Sequence, residues 1–276
     1  MTKKTNGGKM RELTAEKIQE NYDSLLNTIQ LHITGDRKEK VLKMHNDMKD
    51  RFMMAPASAK EHYHNAMLGG YVDHILRVVD LSLKVKDLWE QNGCKIDFTD
   101  EELVFSAIHH DLGKVGDLEN DYYIPQDNEW RRKNMGEIFT HNPKCEYMSV
   151  TDRAFFLLQH YNIPISKKEF IGIRLTDGMY EEANKSYYIA YKSEFQLRSA
   201  IQYVLHQADM MASQIENRLT KQSIEKEETE VFERIQNIQE AVGNTEKTKE
   251  EKPKITNDLF EELFGEIGRA SCRERV

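Results

Sequence analysis

Apolar residues recur along this chain at intervals of three and four, the repeat that gathers them on one face of an α-helix. Ile18, Tyr22, Leu25, Leu26 and Ile29 predict a first helix, and Val41, Met44, Met48 and Phe52 a second. A third, over residues 70–90, carries Tyr71, Ile75, Val78, Leu81 and Val85 as its stripe. Thr99 followed by Glu102 has capping-box spacing, so a fourth helix begins there and brings Leu103, Ala107 and His110 to one face. Ser166 and Glu169 repeat that spacing ahead of Phe170 and Ile173, and a long helix over residues 194–219 turns Ile201, Leu205, Ala208, Ala212 and Ile215 inward. No alternating apolar and polar run is long enough for a substantial sheet. The pattern predicts an all-α globule.

Composition adds the outline of the chain. With 276 residues and 39% hydrophobic content it can bury a sizeable core and still carry solvated extensions. Residues 225–230 and 244–252 are charge-dense with few apolar anchors, and the second stretch reads as a linker. Beyond it, Leu259, Phe260, Leu263 and Phe264 form a short apolar patch, so residues 257–264 are expected to fold back onto the same chain or onto a second subunit of a homo-oligomer, the alternative being docking on a protein partner. Residues 268–276, with three arginines against one glutamate, resemble a translated adapter and are set aside as non-native. The division expected is 1–54, N-terminal helices packing on the core; 55–222, the core domain; 223–267, a charged helix, linker and short apolar helix; and 268–276, the tail. A net charge of −8 and a pI of about 5.8 offer no broad attraction to nucleic acid or acidic membranes, which favours a small substrate over a long polyanion. No apolar run approaches the roughly 20 residues of a membrane span, and the N-terminus lacks a signal-like apolar stretch, so a cytoplasmic protein without a membrane contact is expected. Cys94, Cys145 and Cys272 imply neither a disulfide framework nor a zinc ribbon.

The chemistry concentrates in the run AIHHDLGK, where His110 and Asp111 stand side by side at the end of an apolar helix. A carboxylate there is costly to bury without a cation or strong donors, and the same holds for Asp209, four residues after Leu205 on an inward face. His74 shares a face with Val78 and Leu81 and so points to the core. Each has a plainer alternative: a hydrogen-bonded core histidine for His74, an N–H or arginine partner for Asp209. A shared divalent cation accounts for all of them together. Two imidazoles and two carboxylates suit Mn²⁺, Fe²⁺, Co²⁺ or Ni²⁺ and tolerate Mg²⁺.

The ordered H…HD…D series in GGYVDHILRV (Gly69 to Val78), HHDLGK (His109 to Lys114) and HQADMMA (His206 to Ala212) resembles the HD superfamily of metal-dependent phosphohydrolases. The resemblance covers about residues 55–215, and the glycine pair before His74 is similar to the branch with HD-type 3′-to-5′ exoribonucleases and phage proteins. It implies an HD-domain helical globule in which His74, His110, Asp111 and Asp209 hold the metal, a metal-activated water attacks phosphorus, and Lys114 holds a phosphate oxygen. Many binuclear members of the family supply two further histidines, whereas this chain has Thr176-Asp177-Gly178 at a comparable place. One divalent ion, with Mn²⁺ first in line, is therefore expected, with Asp177 as a base or further carboxylate and His141 and His160 left as candidates for a second site. His64 is similar to a histidine at the substrate entrance of relatives, the alternative being a solvent-facing turn residue. Arg77, Arg153 and Lys185 are candidate phosphate contacts and Tyr187 and Tyr188 candidate stacking partners, exposed ion pairs and lid packing being the plain alternatives.

The expected function is hydrolysis of a phosphoester or phosphoanhydride bond in a nucleotide or cyclic (oligo)nucleotide. The alternatives are a 3′-to-5′ exonuclease on short single strands and, in another class, a catalytically degenerate HD scaffold that acts as a binding protein. Neither an OB-fold-like segment ahead of the core nor the HHExxDGxGYP pattern of cyclic-di-GMP phosphodiesterases is present.

Overall fold

The computed structural model describes residues 12–243, and the expected docking patch at 257–264 and the tail at 268–276 lie outside them. The chain divides into two units, Met1–Glu228 and Thr229–Val276. The first is an all-α globule. Its helices are α1 (Ala15–His32), α2 (Gly35–Asp47), α3 (Lys49–Met54), α4 (Gly70–Gln91), α5 (Asp100–His109), α6 (Glu129–Met135), α7 (Val150–His160), α8 (Lys167–Arg174), α9 (Lys185–Tyr188) and the start of α10 (Ile201–Gly243). Of the second unit, the described part is helical to Gly243.

The caps read from the sequence are formed. Thr99 accepts from the Glu102 amide while Glu102 reaches back to the Thr99 amide, and Ser166 and Glu169 do the same at α8. The predicted second helix is divided at Met48, whose backbone (φ −108°, ψ 19°) separates α2 from α3 while Val41, Met44, Met48 and Phe52 all stay buried. Bonds from the Met48 amide to the Met44 carbonyl and from the Phe52 amide to the Met48 carbonyl carry the ladder across the break. The long C-terminal helix starts at Ile201 rather than near 194, because Asp97 captures the Ala200 amide (3.0 Å) and the Ser199 hydroxyl (3.1 Å) and so fixes where the helix begins. Residues 193–195 form a separate 3₁₀ turn.

Tyr22, Leu25 and Ile29 of α1, Tyr71, Ile75 and Val78 of α4, Val104 and Ile108 of α5, Leu157 of α7 and Leu205 of α10 belong to one core, so residues 15–54 share it with the rest. A smaller cluster of Val85, Phe98, Leu103, Ile201, Val204 and Ala208 seats α10 against the ends of α4 and α5. A two-stranded antiparallel ribbon, β1 (Tyr123–Pro125) and β2 (Phe139–His141), pairs Tyr123 with His141 and Pro125 with Phe139. Strands of three residues carry no legible alternation, and His141 stands on one of them. No described helix is long and apolar enough to cross a membrane.

Candidate metal centre

Three helices deliver the four residues singled out in the sequence. His74 lies one turn into α4 and is fully buried; α5 ends at His109 with His110 as its cap. The chain then tightens into a 3₁₀ turn, Leu112–Val115, headed by Asp111, and α10 brings Asp209 from the opposite side. That turn is wedged against α7. A Cβ added to Gly113 would stand 2.0 Å from the Val150 carbonyl oxygen, so a glycine is required for the approach. Gly70 is similarly pressed on the Asn65 carbonyl oxygen, where an added Cβ would meet it at 2.1 Å.

The ligand-type atoms converge. His74 Nε2 is 3.2 Å from Asp209 Oδ1 and 3.8 Å from Asp111 Oδ2. His110 Nε2 is 3.5 Å from Asp111 Oδ2 and 3.8 Å from Asp209 Oδ1. Ligands bound at about 2.1 Å are separated by about 3.0 Å across an octahedral edge and about 3.4 Å across a tetrahedral one. The imidazole-to-carboxylate separations fall at or a little above these values, and His74, His110 and Asp111 each offer a ligand atom within 4.8 Å of the others.

Hydrogen bonding fixes how the rings present themselves. His110 Nδ1 donates to the Ala107 carbonyl (2.8 Å) and His74 Nδ1 donates to Glu216 Oε2 (3.0 Å). A carbonyl and a carboxylate only accept, so the proton of each neutral ring sits on Nδ1 and the lone pair on Nε2. Both Nε2 atoms are buried and lack a hydrogen-bond partner. Two carboxylates supply the negative charge, and the residues fit a divalent cation with nitrogen and oxygen ligands.

The charges are strongly interdependent. Burial opposes ionisation of Asp111, but the Lys114 ammonium at 2.6 Å, and then His110 and His74, outweigh it and hold its pKa well below the usual carboxylate range. Asp209 is lowered as well, His74 and His110 prevailing over burial. Burial works against a protonated His74, yet Glu216 and Asp209 overcome it and raise its pKa to about 10. At neutral pH without an ion the ring therefore also carries a proton on Nε2 facing Asp209, and a bound cation takes that proton's place. Lys114 lies above its ordinary value because Asp111 offsets the cost of burial. The His64 ring lies 4.7 Å from that of His74, tilted by 39°, with its own Nε2 buried and unpartnered, and burial followed by the nearby charges of His74 and Lys114 depresses its pKa to about 3.

The outlying candidates divide. Asp177 is exposed as a residue, but its carboxyl is raised by burial and then by Asp111 and Asp209, which puts it within electrostatic reach of the cluster. Thr176 is buried and its hydroxyl donates to the Gly172 carbonyl, so it faces the protein backbone. Arg77 is partly buried, and its Nε donates to Glu216 Oε1 at 3.0 Å. Arg153 is 2% exposed, bonds to the carbonyls of Gly113 (3.2 Å) and Glu146 (2.9 Å), and lies 4.7 Å over the Tyr122 ring, which makes it a strut under the Asp111 turn rather than a phosphate contact. Lys185 forms an exposed pair with Glu182 at 2.5 Å. Tyr188 hydrogen-bonds the Leu175 carbonyl, and Tyr187 borders on exposed. His160 is the exposed last residue of α7, and His141 lies 4.7 Å from the Tyr122 ring; neither joins a metal-type cluster among the described residues.

Three residues near the site were not singled out in the sequence. Glu216 is fully buried and backs His74. His206 donates from Nδ1 to the Thr176 carbonyl (2.6 Å), tying the Asp177 loop to α10. Tyr123, whose hydroxyl burial pushes up to about 12, lies beside Lys114. Glu216 and His206 do leave a trace, because they stand seven positions after and three before Asp209 on one helical face. Comparison with family models, with curated proteins and with solved structures finds no match to this chain.

Proposed function

We propose that this protein is a metal-dependent phosphohydrolase that cleaves a phosphoester or phosphoanhydride bond of a nucleotide or cyclic (oligo)nucleotide, with one divalent ion, Mn²⁺ foremost, held by His74, His110, Asp111 and Asp209. The observation that carries the reading is the convergence of the His74 and His110 Nε2 atoms, each of which lies 3.2–3.8 Å from carboxylate oxygens of both Asp111 and Asp209. A divalent cation in such a site supplies Lewis acidity toward a phosphoryl oxygen and makes water a stronger acid.

The protein's own residues supply the remainder. Asp111 and Asp209 together match the charge of a divalent ion, which leaves the Lys114 ammonium, now on Asp111, to pair with an anionic phosphate. Asp177, whose carboxyl is raised by burial and by Asp111 and Asp209, would be the better proton acceptor of the carboxylates around the site and would take a proton from water there. His64 has a buried, unpartnered Nε2 beside the His74 ring. Because the ligand set needs no covalent nucleophile, phosphate release is expected to depend strictly on added metal. The test is release of phosphate or p-nitrophenol from generic monoesters and diesters, and then from nucleotides, cyclic nucleotides and short oligonucleotides, with Mn²⁺ against a chelated control. Activity with Mn²⁺ on any of these supports the reading; absence of turnover across the screen with metal bound defeats it in favour of a binding role.

A further inference from the structure

The imidazole of His74 is gripped at both ends by one helix. Asp209 lies 3.2 Å from Nε2 and Glu216 accepts from Nδ1 at 3.0 Å, and both come from α10, seven positions apart. Glu216 has no solvent exposure, and its two oxygens are divided between two donors: Oε2 takes the His74 proton and Oε1 the Arg77 Nε–H at 3.0 Å. The guanidinium in turn stands 3.8 Å from Asp73, whose carboxylate accepts from Asn21 (3.3 Å) and Asn65 (2.9 Å). A rigid chain of contacts thus runs from α1 and the Asn65 turn through Asp73, Arg77 and Glu216 to the ring that faces the ion.

We infer that Glu216, held by Arg77, is the positioning residue of the metal centre: it fixes the tautomer and orientation of His74 so that Nε2 presents a lone pair to the cation. This rests on the metal reading above. A buried carboxylate that merely balanced Arg77 would not need the second oxygen on His74, and a histidine fixed only by packing would leave Nδ1 free to choose its partner. Outer partners of this kind typically change metal affinity by about 10–100-fold when removed. The same contacts predict a graded response. In Glu216→Gln the side chain keeps its shape, but an amide must offer Arg77 its oxygen, which turns the NH₂ toward His74 and favours the proton on Nε2, where it blocks the ion. In Glu216→Asp the charge remains on a side chain one methylene shorter, which cannot span both donors.

The experiment is a Mn²⁺ titration of the full chain followed by electron paramagnetic resonance, which counts free ion, with helix content recorded for each variant. Glu216→Gln is expected to raise the Mn²⁺ Kd by about tenfold or more at unchanged helix content, and Glu216→Asp to fall between it and wild type. A folded Glu216→Gln protein that binds Mn²⁺ within about twofold of wild type overturns the inference while leaving the metal site standing. Should Glu216→Gln fail to fold, Glu216→Asp and Arg77→Gln are titrated in its place, and wild-type affinity in both overturns the inference equally. Wild-type protein that binds no Mn²⁺ defeats the metal reading itself, and this inference with it.

Discussion

Replacing Arg153 with Met separates a supporting role from a substrate-binding one. The methionine keeps most of the apolar stem but removes the donors to the Gly113 and Glu146 carbonyls at 3.2 and 2.9 Å, and the cation from the Tyr122 face. A buried acceptor left without its donor costs about 1–3 kcal/mol, and a desolvated cation–π contact about 1–2 kcal/mol. Relief of burying a charge, whose own Nε lacks a partner, offsets part of that loss. The net expectation is a destabilisation of about 3 kcal/mol, or about 6–12 °C in Tm for a domain of this size. Because Gly113 sits between Asp111 and Lys114, Mn²⁺ binding should weaken as well. Urea unfolding at fixed metal concentration measures the first effect and Mn²⁺ titration the second. A variant with an unchanged urea midpoint and a raised KM for a phosphate ester would refute the reasoning and return Arg153 to the substrate.

Two further outcomes follow from the packing. Gly113→Ala forces a Cβ onto the Val150 carbonyl oxygen at 2.0 Å, so backbone must move; a loss of at least about 2 kcal/mol is expected in urea unfolding, and unchanged stability would contradict the wedge. His45 is fully buried against Phe52, and burial, against the opposing Val41 carbonyl bond, lowers its pKa to about 4. The unfolded chain, with a histidine pKa near 6.5, therefore binds more protons between about pH 4 and 6.5. Stability falls as pH drops through that window, by about 1.4 kcal/mol per pH unit for this residue. His45→Gln should remove one proton from the measured slope of stability against pH, and an unaltered slope would refute the assignment.

How much of this was legible in the chain follows from which interactions are local. The helices with a continuous apolar stripe and a Thr or Ser cap three residues before Glu were readable, since stripe and cap lie within one element. The four clustered residues were singled out because the two acids are chemically conspicuous on apolar helices and because all four stand in the order of the HD motifs that the chain resembles, whereas His74 by itself reads as an ordinary core histidine. Arg153 was not, because the carbonyls of Gly113 and Glu146 that hold it become visible only when the 3₁₀ turn meets α7. The start of α10 was displaced for the same reason, its amide being captured by Asp97, 103 positions away. Glu216 shares the inward face of Asp209 in the sequence, but its partners His74 and Arg77 come from α4, 142 and 139 positions away, so its role is visible only in the fold.

Counting ions tests the central claim most directly. Wild-type protein dialysed against Mn²⁺ and then freed of loose ion should retain close to one equivalent per chain, displaced competitively by Co²⁺, and folded Asp111→Ala protein should retain almost none. Retention of two equivalents, or of none, or an Asp111→Ala variant that holds Mn²⁺ as tightly as wild type, would contradict a single site built from His74, His110, Asp111 and Asp209.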